Sequence, residues 1–210
     1  MGAVSAARAK AATAAVVPER VAHDTPVDCP TVAGWARWLK RHHSTAAGVW
    51  LRMAKKDSGF PTVAYADVLE LALCHGWIDG QRKGEDAQYF LQRFTPRTKR
   101  SIWSQINRAK ALKLIEEGRM QPAGLAEVER AKADGRWDAA YEAASVAVVP
   151  PDLQAALDAN KKAAAFFATL DARNRYAVLF RTQGAKKAET RARRIAQFVE
   201  MLAKGEKIHP

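Results

Sequence analysis

Two short runs constrain the fold of this chain most: Trp77-Ile78-Asp79-Gly80-Gln81-Arg82-Lys83 and Tyr89-Phe90-Leu91-Gln92-Arg93-Phe94-Thr95. Gly84-Glu85-Asp86 lies between them and Pro96 follows the second. Aromatic and β-branched residues bounded by turn formers favour a pleated backbone, so the segment predicts an antiparallel hairpin. Period-two alternation sends Trp77, Asp79 and Gln81 to one face and Ile78, Gly80 and Arg82 to the other. On the second run Tyr89, Leu91 and Arg93 oppose Phe90, Gln92 and Phe94. Each face then mixes large apolar groups with polar ones. A locally broken pattern in a well-patterned chain marks a candidate functional site.

Around the hairpin the periodicity is mostly helical. Thr31 caps a predicted helix reaching His42, with Trp35, Trp38 and Leu39 at helical spacing. Gly48 stops that helix, and Val49 to Lys55 reads as a third strand. Asp57 to Pro61 is a turn cluster, and Tyr65 to Cys74 a short helix with Tyr65, Val68, Leu69 and Ala72 on one face. Further helices are predicted over 101–117 and from Pro122 to Gly135, with a continuation over Trp137 to Ala144. Val148-Val149-Pro150-Pro151 marks a boundary. Beyond it come helices over 152–159, 161–169, 171–182 with Asp171 as N-cap, and 186–204. The fold class is therefore α+β: a small sheet of about three strands with covering helices, followed by a C-terminal helical module. The expected organisation is an Ala-rich disordered arm over 1–26, an α+β domain over 27–147 and a helical domain over 148–210. All six tryptophans fall between Trp35 and Trp137, so the two parts build different cores.

The net charge of +12 is unevenly spread. Residues 171–210 hold ten Lys/Arg against four Asp/Glu, whereas 48–97 hold seven against six. Cys29 and Cys74 lack CxxC spacing and imply no disulfide framework. No apolar run is long enough to span a membrane. The Ala-rich start is interrupted by Arg8 and Lys10, which argues against an export signal and for a cytoplasmic protein with reduced thiols.

Several chemistries lack their motifs here: there is no GxSxG, HExxH, GxGxxG or GxxxxGK[ST]. His42 and His43 are adjacent and diverge on a helix, and His75 stands beside Cys74 in the same way, so no metal site and no cofactor is implied. Asp79 is the sharper candidate. It shares a predicted face with Trp77 and Gln81, and Arg93 and Arg97 arrive from the second strand and its exit. An aspartate so placed either forms a salt bridge that fixes hairpin register or joins Gln81 and the arginines in a ligand pocket. Trp103 and Asn107 lie one helical turn apart among Arg97, Lys99, Arg100, Arg108, Lys110 and Lys113, a combination that can grip phosphates and stack a base. Ile102, Ile106, Ala109 and Leu112 supply that helix with an ordinary apolar stripe. In the last helix Ala188, Ala192, Ile195, Val199 and Leu202 form a predicted buried seam, flanked by a ridge of Lys187, Arg191 and Arg194 suited to an anionic partner.

Val49-Trp50-Leu51-Arg52-Met53-Ala54-Lys55-Lys56, Ala72-Leu73-Cys74-His75-Gly76-Trp77-Ile78-Asp79-Gly80-Gln81, Leu91-Gln92-Arg93-Phe94-Thr95-Pro96-Arg97 and Ser101-Ile102-Trp103-Ser104 with Asn107 resemble the bacterial YdeI/OmpD-associated family, also labelled bacteriocin-protection. The run Ala185-Lys186-Lys187-Ala188-Glu189-Thr190-Arg191 is similar to that family's C-terminal helical domain. The resemblance covers Val27 to Pro210. It implies resistance to antimicrobial peptides and association with an outer-membrane porin in a periplasmic setting, and it carries no enzymatic activity or cofactor.

These readings combine into one expectation. The protein is a non-enzymatic stress- or resistance-associated protein that binds a small or anionic ligand in a polar–aromatic pocket of Trp77, Asp79, Gln81, Arg93, Arg97, Trp103 and Asn107. Its basic helical module would meet an anionic partner, an acidic protein among the candidates. The alternatives are an enzyme using Asp79 with Arg93 and Arg97 on an anionic substrate, and an RNA-associated basic protein, nucleic acid being the less favoured partner.

Overall fold

The computed structural model describes residues 21–22 and 25–210, so the expected arm lies mostly outside the described residues. Two compact units result. The first comprises the chain up to Thr98 with Gln121–Gly124, and the second Lys99–Met120 with Leu125–Pro210.

The first unit runs β1 (Val21–Ala22), β2 (Val27–Asp28), α1 (Val32–His42), β3 (Ala46–Ala54), α2 (Tyr65–Cys74), β4 (Trp77–Gly84) and β5 (Tyr89–Pro96). The sheet order is β1-β3-β5-β4, and β2 also pairs with β3. The predicted hairpin is β4–β5, and the third predicted strand, β3, pairs antiparallel with β5. Two dipeptide strands, parallel to β3, raise the total to five. Gly48 does not end a helix; it lies inside β3 at φ 154°.

Side-chain caps fix the starts of α1 and of the later helices that begin at Gln105, Lys161 and Ala172. The Thr31 hydroxyl accepts from the Gly34 N–H at 3.1 Å, which satisfies one orphan donor of α1. Trp35, fully buried, donates its indole N–H to the Val68 carbonyl and lays its ring against Phe94 at 5.4 Å. Trp38 meets Trp77 edge-on at 5.7 Å. These rings join α1 and α2 to one face of the sheet, with Val49, Leu51, Met53 and Phe94 beneath them.

The second unit holds α3 (Gln105–Glu116), most of α4 (Pro122–Ala133), α5 (Pro151–Asp158), α6 (Lys161–Ala168), α7 (Ala172–Gln183) and α8 (Ala188–Ala203). Leu153, Leu157, Phe167, Leu179 and Leu202 centre its core. Asn160 caps α6, and Asp171 caps α7 as predicted. The fold class is α+β.

Three local expectations are corrected. Trp137 to Ala144 is not helical; it is a run of turns in which Tyr141 bridges to Ser104. The Tyr141 ring meets Phe180 at 5.1 Å and the Tyr176 hydroxyl donates to the Glu142 carbonyl, so tertiary contacts hold this segment out of a helix. The helix expected from 101 begins at Gln105, after Ile102, and the expected stripe of Ile102, Ile106, Ala109 and Leu112 is exposed, while Ala111 and Leu114 are buried. The Ser104 cap and a hydrogen bond from Arg108 to the Trp137 carbonyl set that rotation. In α8 the buried residues are Ile195, Phe198 and Leu202, whereas Ala188 and Ala192 are exposed.

Candidate functional site

Register decides which hairpin groups can meet. On β5 the predicted alternation holds: Phe94 and Gln92 are buried on the helix-covered face, opposite Val49 and Leu51 respectively, while Arg93 pairs with Trp50 on the other face. On β4 the alternation breaks between Asp79 and Arg82. Asp79 pairs with Phe94 and Arg82 with Gln92, so one extra residue is accommodated at Gly80-Gln81. Arg82 therefore shares the covered face with Asp79, and its guanidinium lies 3.7 Å from the centre of the Phe90 ring. Lys83 turns to the open face with Trp50 and Arg93. The Gln92 side chain, 4% exposed, holds this bulge by donating to the carbonyls of Gly80 at 3.1 Å and Gln81 at 3.2 Å.

The predicted pocket residues are accordingly distributed rather than gathered. Trp77 is core, with its indole N–H donating to the His43 carbonyl. Asp79, half-buried, accepts from the Tyr65 hydroxyl at 2.6 Å. Burial, then that bond and the aspartate's charge, push the Tyr65 phenol well above its ordinary range. Arg93 is on the opposite face, so neither the expected register-fixing ion pair nor the acid/base constellation of Asp79 with Arg93 is assembled. Gln81 is exposed in the bulge. Arg97 is buried and its N–H donates to the Gly76 carbonyl at 2.9 Å. Trp103 and Asn107 fall in the second unit: Trp103 is 1% exposed and packs on Trp137 at 4.8 Å, so its face is closed to a stacking base, and the Asn107 N–H serves the Ser104 cap.

Three residues that pattern reading passed over, Gly48, Trp50 and Lys83, share the open face with Arg93. The Lys83 ammonium lies 4.4 Å and the Arg93 guanidinium 5.6 Å from the centre of the Trp50 ring. Neighbouring strand residues alone could have suggested Trp50 with Arg93, but the bulge hid Lys83.

In the second unit the cationic ridge is largely engaged. Arg191 forks onto both Asp152 oxygens, at 2.8 Å for Nη2, and donates to the Thr182 carbonyl. This bond chiefly holds the Asp152 carboxyl below its usual range. Arg194 donates to the Arg181 carbonyl, and Lys187 is the exposed N-cap of α8. Beside this ridge runs a groove of about 900 Å³ between α8 and the α5–α6 corner. Its walls include Ala188, Ala192, Ala196 and Val199 on one side and Ala156 and Ala159 on the other. The alanines predicted as a buried seam are the wall of this groove.

Among the described residues no helix is long and apolar enough to cross a membrane, and no cluster of His, Cys, Asp and Glu could hold a metal ion. Residues 146–205 are similar to the family described as Bacteriocin-protection, YdeI or OmpD-Associated. Residues 27–127 are similar to a different family, described as a domain of unknown function (DUF8412). The resemblance expected over Val27 to Pro210 thus extends over the C-terminal helices, and the hairpin motifs fall in the other match. No curated protein and no solved structure matches the chain.

Proposed function

We propose that this protein is a non-enzymatic binding protein of the YdeI/OmpD-associated kind, serving antimicrobial resistance or stress by association. In this reading its helical unit docks an acidic amphipathic helix of a protein partner in the α5/α6/α8 groove. The observation that carries it is the groove, which lies within the residues resembling the bacteriocin-protection family. Alanine walls let helix axes approach within about 8 Å. The sixteen residues of α8 supply a wall of about 24 Å, enough for an occupant of about four turns.

Charge selects the occupant. The two acids lining the groove, Asp152 and Glu200, are held by Arg191 and Lys204. Lys162 on the facing wall meets no carboxylate among the described residues. Residues 146–205 carry eleven Lys/Arg against five Asp/Glu. A second copy of this chain, at +12, would meet like charge, and single-stranded nucleic acid would find methyl groups in place of stacking faces. A helix with an apolar face and acidic flanks satisfies both the walls and the rim.

The test is fluorescence anisotropy with a labelled four-turn peptide bearing leucines on one face and glutamates on its flanks. Saturable binding that weakens with salt, fails for the lysine-flanked peptide and disappears in Ala192→Trp supports the reading. Absence of binding, or equal binding to Ala192→Trp, overturns it.

A further inference from the structure

The open face of the sheet holds two cations over one indole. Lys83 reaches across the strand between them to lie 4.4 Å from the Trp50 ring centre, and Arg93, the cross-strand partner of Trp50, lies at 5.6 Å. Like charges converging on one ring repel each other, and the ring's quadrupole offsets only part of that. Elsewhere on this face the cation Arg52 is neutralised by Glu85 and Asp86. Lys83 and Arg93 meet no carboxylate among the described residues. The site is also shaped for the guanidinium: a Cβ on Gly48 would stand 2.7 Å from Arg93 Nη2 and 2.9 Å from the Thr95 methyl, and the residue sits at φ 154°, where glycine is favoured. A half-buried arginine beside an aromatic wall and an exposed lysine provide a planar fork and a mobile point charge.

We infer that Trp50, Lys83 and Arg93 form a binding site for a phosphoryl dianion, with the two cations as its donors. This gives the expected anionic ligand a place distinct from Asp79, which lies on the other face. The site belongs to the first unit and does not depend on the groove of the second.

The full chain is titrated at constant ionic strength with inorganic phosphate and with glycerol phosphate, a monoester, following tryptophan fluorescence and thermal stability. Saturable binding is expected, weakened about 10–100-fold in Lys83→Gln and in Arg93→Gln and unchanged in Lys56→Gln. Tighter binding of the monoester assigns the site to an organic phosphate, and equal binding to the free ion; both support it. No saturable response in the folded wild type, or one retained in the Lys83→Gln/Arg93→Gln double variant, overturns it.

Discussion

Replacing Gly124 with alanine separates local propensity from packing. In a free helix the change is favourable by about 1 kcal/mol. In this protein the new Cβ would stand 2.3 Å from the Cys74 carbonyl oxygen and 2.8 Å from both the Cys74 carbonyl carbon and the Leu73 carbonyl oxygen. All three are backbone atoms, so no side chain can swing aside. The Cys74 carbonyl also accepts the Gln121 N–H at 3.0 Å, and moving either partner loosens that bond. Overpacking of this kind costs about 1–3 kcal/mol and a weakened hydrogen bond about 0.5–1.5 kcal/mol. Set against the gain in propensity, the net expectation is a loss of about 2 kcal/mol, or about 4–8 °C in Tm for a chain of this size. Urea denaturation followed by circular dichroism should show a lower midpoint with the slope unchanged. Gly84→Ala is the control: nothing lies within 4 Å of its Cβ position, so it should be neutral or slightly stabilising. A Gly124→Ala protein as stable as the wild type would refute the close approach on which this reasoning rests.

Three further outcomes are expected. Gln92→Ala should strip two carbonyls of their donor at the bulge, lower stability by about 1–3 kcal/mol and speed amide exchange over Gly80–Lys83; unchanged exchange there would remove the clamp from the account. Ser104→Ala should cost about 1 kcal/mol through loss of the α3 cap, read as a Tm about 2–4 °C lower, and a neutral result would mean the cap is replaceable by water. Asp152→Asn should be less stable than wild type at pH 7. Asp152 is held below its ordinary range mainly by Arg191, so its contribution is present above the unfolded value of about 3.9 and fades as pH falls through the lower folded value. Its side chain is 45% exposed, so solvent screening keeps the effect small. The urea midpoints of the two proteins should converge on acidification; a gap undiminished at pH 3 contradicts the pairing.

Element boundaries were legible where a side-chain cap stood, but not at Gly48, the expected helix stop that lies inside β3. Thr31, Asp171 and Asn160 sit at the caps, and the predicted Tyr65–Cys74 helix matches α2. Rotation about the helix axis was legible for α1 and α2, where Trp35, Leu39, Val68, Leu69 and Ala72 are buried as their spacing implies, but not for α3 and only in part for α8. α3 has no single apolar side, and which side turns inward depends on partners distant in sequence such as the Trp137 carbonyl; on α8 Ile195 and Leu202 turn inward as expected, joined by Phe198 rather than by the alanines. The candidate site suffered from the same kind of limit. A strict period of two is the only phase a sequence reader can assume for a strand, and it fails after Asp79 because Gln92, on another strand, stabilises one extra residue. Tyr65 was placed on its helix but not against Asp79, since that contact depends on how α2 lies over the sheet.

The Gly80-Gln81 bulge makes the hairpin a two-part object. Its proximal half, Trp77 to Asp79, is in phase with the core beneath Phe94; its distal half, Arg82 to Gly84, keeps a separate count against Gln92, Leu91 and Phe90. Removing one residue from the joint would leave the pairings on either side intact. A slip that absorbed the extra residue into the ladder would exchange Arg82 and Lys83 between faces. The tip can therefore vary as a cassette, with ligand-facing charge altered at constant composition, while the tryptophan core is left alone. Deleting one residue of the joint takes away the slack for such a slip and leaves Arg82 and Lys83 on their present faces.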